Sequence, residues 1–102
     1  MVPPGDNLEF MTSGYIRERI KNAPEILDSA KAVLRNNPRA GFEIASGVMI
    51  LEFEFNERKF VILFKRRGNS IGLMYLFSED DRALISIKME ELRKRYKKGD
   101  LP

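Results

Sequence analysis

The chain has 102 residues, a hydrophobic share of 43% and a charged share of 32%, enough for one soluble domain with a single core but not for two. It contains no cysteine and no histidine, which excludes disulfides, thiolate nucleophiles, Cys-ligated zinc and His-dependent catalytic triads. Net charge is +3 and uneven: residues 1–51 carry six Lys/Arg against six Asp/Glu, residues 52–102 twelve against nine.

Residues 1–7, with Pro3-Pro4-Gly5, read as a flexible tail, and no basic start followed by an apolar segment marks a secretory signal. The unbroken apolar runs, Val48–Leu51 and Leu73–Phe77 among them, fall far short of the about twenty residues of a membrane span. The expectation is a cytoplasmic protein without membrane contact. "LEFM" at 8–11 is a short strand, after which Thr12 or Ser13 can cap a helix. Ile16, Ile20, Ala23, Leu27, Ala30 and Leu34 recur in steps of three and four and lie on one helical face. Pro24 interrupts that face, so the spacing predicts a kink or two helices, about 13–21 and 23–36, with Asn22 capping the second. Asn37 before Pro38 ends it.

From Phe42 the pattern turns to strands. Phe42–Ser46 and Val48–Phe55 are one strand bent at Gly47 or two, Asn56-Glu57 is a two-residue turn, and Lys59–Lys65 is the next strand. "RRGNS" at 66–70 reads as a loop, Ile71–Phe77 as a strand and "SEDDR" at 78–82 as a turn. Residues 83–87, "ALISI", fit either a strand or the start of a long helix with Ile85, Met89, Leu92 and Tyr96 on one face. Their β-branched content favours the strand, followed by a basic helix that Gly99 would cap.

The strand reading is supported by an internal echo. With Gly47 aligned on Gly72, Met49 falls on Met74 and Leu51 on Leu76; a one-residue gap later Phe53 falls on Phe77, and 59–63 lies on 83–87. Residues 8–21 and 84–97 also resemble each other, each as a strand running into a basic helix. The expected fold is therefore α+β: an antiparallel sheet of about four strands packed with an N-terminal kinked helix and a C-terminal basic helix, with an internal duplication of a strand-helix unit as a possibility to test. The domain spans 8–98 and residues 99–102 form a C-terminal tail.

Three groups of residues could carry a function. Glu52 and Glu54 share one strand face and, with Glu43, Asp80 or Asp81, could hold Mg²⁺. Glu57-x-Lys59 echoes the Glu-x-Lys of restriction-type nucleases but falls at a turn, with no Asp on a preceding strand. The bland reading, a polar strand face, is preferred, and no catalytic, cofactor-binding or metal residue is assigned. A phosphate-binding set would combine Lys65, Arg66 and Arg67 in a loop with Arg93, Lys94, Arg95, Lys97 and Lys98 on the last helix, Tyr96 being available to stack on a base. Finally, Val48–Leu51 and Phe60–Phe64 are apolar on both strand faces. One helical layer covers one face only, so the other needs a layer, a subunit or a ligand.

The general make-up (a short chain without His or Cys, a basic end and a small αβ plan) resembles small orphan proteins of filamentous viruses of hyperthermophilic archaea. The absence of Cys and Gln beside plentiful Lys, Arg and Glu agrees with a hot source, while six Asn and five Met pull against it. The resemblance implies no activity; a viral protein would reside in the host cell. On these grounds the expectation is a non-enzymatic interaction module, without cofactor, that binds a protein or peptide in a groove between repeated units or at a homodimer face. Nucleic-acid binding is the alternative and a Mg²⁺-dependent nuclease a distant third.

Overall fold

The computed structural model describes residues 8–96. Its elements are β1 (Glu9–Thr12), α1 (Gly14–Arg19), α2 (Glu25–Asn36), β2 (Phe42–Ala45), β3 (Val48–Phe55), β4 (Arg58–Arg67), β5 (Ser70–Ser78) and α3 (Arg82–Arg95). The fold is α+β, as expected, but the sheet is five-stranded and mixed, in the order β1-β5-β4-β3-β2. β2 to β5 form an antiparallel meander, and β1 joins β5 in parallel, Phe10 opposite Ile71.

The turns follow from local chemistry. Ser46-Gly47 separates β2 from β3, so the bent-strand alternative resolves into two strands. Asn56 and Glu57 both take positive φ, 52° and 64°, as a two-residue type I′ hairpin requires. Asn tolerates that region; Glu57 does not favour it, at a cost of about 1 kcal/mol. At Gly41 (φ 101°) an added Cβ would lie 2.9 Å from the Ile50 carbonyl oxygen. No larger residue fits where the chain enters β2.

Side-chain alternation sorts the sheet into two covered faces. Leu51 and Phe53 of β3, Phe60, Ile62 and Phe64 of β4, and Ile71, Leu73 and Leu76 of β5 pack with Ile16, Ile20, Leu27, Ala30 and Leu34 of the N-terminal helical layer. The opposite face presents Val48, Leu63 and Phe77, which pack with Ala45 and with Leu92 of α3. In β5 the alternation changes phase: Leu63 pairs with Tyr75 and Phe64 with Leu73, leaving Met74 as a bulge. That extra residue allows "GLMYLF" to serve both cores. The Ser13 hydroxyl donates to the Met74 carbonyl at 2.7 Å and accepts from the Ile16 N–H at 3.2 Å. One side chain thus starts α1 and satisfies the bulge.

The break at Pro24 is present, with helices on either side close to the expected limits. Asn22, however, does not cap the second. Pro24 holds the cap position without a side-chain bond, and backbone turns from Ile26 to Ala23 and from Leu27 to Pro24 take up the first donors.

The largest correction concerns residues 83–87, which are the first turns of α3 and not a strand. β4 runs along one edge of β5, and the other is taken by β1 over Ser70–Leu73 and by Ser13 at Leu73 and Met74. That leaves a sixth strand the short stretch Tyr75–Ser78. The apolar residues are buried instead by the helical alternative, with Ile85, Met89, Leu92 and Tyr96 set against the sheet. The internal duplication fails with it. Residues 59–63 are strand where 83–87 are helix, and Phe53 and Phe77, aligned by the echo, belong to opposite cores. No helix among the described residues is long and apolar enough to cross a membrane. Lys97, Lys98, Gly99 and both proposed tails lie outside the described residues.

Candidate polyanion-binding surface

Strand direction decides which charges meet. β4 descends to Lys65, Arg66 and Arg67, and the β2–β3 turn lies at the same end of the sheet. α3 arrives there too, because the Ser46 N–H donates to the Tyr96 carbonyl at 2.9 Å. α2 also ends there: Lys31 and Arg35 stand 5.6 and 5.0 Å from the centre of the Phe10 ring. Phe10 pairs with Ile71, and Ile71 with Arg66, so the three form one row across the sheet. The Asn37 side chain then accepts from the Arg39 N–H at 3.2 Å, shaping the turn that carries Arg39 toward Arg66.

Six cations from three segments therefore gather at this end: Lys31, Arg35, Arg39, Lys65, Arg66 and Arg67. Among the described residues, none of the six is in an ion pair. Elsewhere several cations are paired, Arg19 with Asp81 at 2.8 Å, Lys21 with Glu18, Lys59 with Glu52 and Arg82 with Glu79, although Arg17, Arg58, Lys94 and Arg95 are in no ion pair among the described residues. The far end of the sheet carries Glu54, Glu57, Glu79, Asp80 and Asp81 in or beside the β3–β4 turn and the β5–α3 connection. The domain is polarised, predominantly basic at one end, where Glu9 shares a row with Ser70 and Arg67, and mixed to acidic at the other. Cations near the C-termini of α2 and α3 also suit the helix dipoles, but that does not account for Arg39, Lys65, Arg66 and Arg67, which lie on strand or turn.

The expected basic set is brought together only in part. Lys65, Arg66 and Arg67 belong to β4 rather than a loop, so alternation divides them. Lys65 sits on the α3 side, its Nζ 4.2 Å from the Tyr96 ring centre. With Arg67, Ser70 and Gly72 it lines a depression of about 170 Å³. Arg66 points to the other side, toward α2. Arg93 is bonded to Glu90 at 3.0 Å, and Lys94 and Arg95 are exposed in the last turn of α3. Tyr96 already carries the Lys65 ammonium on its ring, and Phe10 carries Lys31 and Arg35. The aromatic surface at this end is committed to the protein's own cations, so phosphates are offered more than bases.

Lys31, Arg35 and Arg39 were not part of the expected set. For Lys31 and Arg35 the four-residue spacing was the available signal, because residues four apart share a helix face, whereas Arg39 lies in the turn beyond the end of α2. The Arg66 guanidinium is held below the ordinary arginine range, first by burial and then by Arg39, yet an arginine remains charged at neutral pH. Lys88 is raised, chiefly by its hydrogen bond to Glu91, which strengthens a pairing internal to α3.

The carboxylates considered for Mg²⁺ do not gather. Glu52 and Glu54 share the exposed side of β3, Glu43 lies opposite Met49 on the other side, and Asp80 and Asp81 follow β5. Among the described residues no three Asp or Glu stand together as metal ligands would. A separate apolar depression of about 260 Å³ opens at the far end between the N-terminal helices and the sheet, lined by Ile20, Ile26, Phe60, Leu76 and Phe77 with Arg19 at its rim. No family model, no curated protein and no solved structure matches this chain.

Proposed function

We propose that the protein is a non-enzymatic module that binds nucleic acid through the phosphate backbone. The observation that carries this reading is the meeting at one end of the sheet of six cations from α2, the turn after it and β4, none of them in an ion pair among the described residues. Such a surface attracts a polyanion by releasing its counterions. With the neighbouring rings covered, affinity comes from phosphates and is indifferent to sequence. The test is binding to duplex and single-stranded DNA across a salt series. If most of the six cations meet phosphates, affinity for duplex falls roughly 10³-fold between 50 and 200 mM salt. Arg67→Ala flattens the logarithmic slope by about one. No binding at low salt, or binding that salt leaves unchanged, sinks the reading.

A second reading, a protein or peptide partner or a homodimer, keeps a specific basis although its original ground has changed. The second sheet face is covered from within by α3. What remains among the described residues are Met11 and Phe42, 70% and 79% exposed on the edge strands β1 and β2, Tyr15 of α1, and Leu84 and Ile87, 46% and 54% exposed on the outer side of α3. Light scattering separates a dimer from a monomer directly.

A further inference from the structure

Arg66 stands apart from the other cations at the basic end. Among the described residues its Nη2 is the one buried side-chain nitrogen or oxygen without a hydrogen-bond partner. Buried polar groups are almost always satisfied, and an orphan on a charged group is costly enough to need a reason. The strand explains the placement. Arg66 lies opposite Ile71, and its own N–H donates to the Gly47 carbonyl at 2.8 Å. Backbone pairing on both sides thus fixes the direction of the side chain. The nearby group that acts electrostatically on it is a second cation, Arg39, which repels where a carboxylate would have satisfied. Arg39 is itself held by the turn at Asn37. Arg66 is therefore short of a partner and repelled by a second cation, while Lys31 and Arg35 of α2 lie over Phe10 in the same row of the sheet.

We propose that Arg66 and Arg39 together hold one phosphate group of the bound nucleic acid; this rests on the reading above and assigns the position at which the backbone is gripped. A phosphate carries the charge and the oxygens that this pair lacks, and the planar guanidinium fork accepts it through two parallel N–H bonds. The Arg66 side chain is half-buried as a whole, so a small swing of its outer part turns the unpaired nitrogen toward an anion beside Arg39. The alternative is that the stem of Arg66 only covers the end of the core, its charge being incidental. Arg66→Met separates the two, since it keeps the stem and removes both the orphan donor and the repulsion.

The experiment is thermal unfolding of the full chain with inorganic phosphate at low millimolar concentration, against sodium chloride of equal ionic strength. The wild type gains about 5 °C once phosphate reaches several times its Kd. Arg66→Met melts above the wild type in phosphate-free buffer and gains nothing specific from phosphate. Arg82→Ala retains the gain, because that exposed side chain pairs with Glu79 at the far end of the sheet. A wild type that gains no more from phosphate than from chloride overturns the proposal, even if DNA binds through the other cations. So does an Arg66→Met variant that gains as much as the wild type. A phosphate gain lost in Arg66→Met, in a protein that binds no DNA, upholds the paired site and removes the nucleic-acid reading alone.

Discussion

Among the described residues, thirteen buried residues form one cluster on the side of the sheet covered by α1 and α2, and five do on the side covered by α3. α2 supplies Leu27, Ala30 and Leu34 as buried residues, whereas Leu92 is the fully buried residue of α3. Around Leu92, α3 relies on half-buried Ile85, Met89 and Tyr96 and on contacts at its margins. Lys88 lies 4.8 Å from the Tyr75 ring centre, Lys65 lies 4.2 Å from that of Tyr96, and Ser46 bonds the last turn. The first layer is held through its middle and the second chiefly around its rim. Stability and surface chemistry are thus divided between the two sides of one sheet.

The same deletion made in each layer tests that contrast. Leu34→Ala should cost about 4 kcal/mol in denaturant unfolding, because Leu34 is fully enclosed and its neighbours cannot close the gap. Leu92→Ala should cost about 2 kcal/mol, since the half-exposed residues around it can settle into the space. Equal losses would mean that α3 is as firmly packed as α2. On the outer side of α3, Ile87→Glu should change stability by no more than about 0.5 kcal/mol in a monomer. A larger loss that grows as the protein is concentrated would point to a second copy on that surface.

How much of this was legible depended on whether the deciding contact was local. The Pro24 break, the Ser13 cap and the Asn56-Glu57 turn depend on residues within a few positions of each other, and each could be read in sequence. Residues 83–87 could not, because their β-branched content is a local vote for strand. The vote is overruled by β4 and β1, which take most of the edges of β5, and by a sheet face that a helix can reach. The parallel pairing of β1 was hidden for the same reason, its partner lying some sixty residues away: Ser13 bonds Met74 across a separation of 61. At the basic end, the run Lys65–Arg67 was conspicuous, but strand alternation sends its members to different sides. Lys31, Arg35 and Arg39 were inconspicuous until the sheet brought them beside Arg66.

The parallel pairing of β1 also sets an order in time. β2 to β5 are joined by short turns, so each can pair with the strand made just before it, at little cost in loop closure. Glu9–Thr12 has no strand to join until Ser70–Leu73 has been synthesised. Until then Ile16, Leu27 and Leu34 have no complete sheet to cover. Of the five strands, the one synthesised first is the one whose place in the sheet is made late.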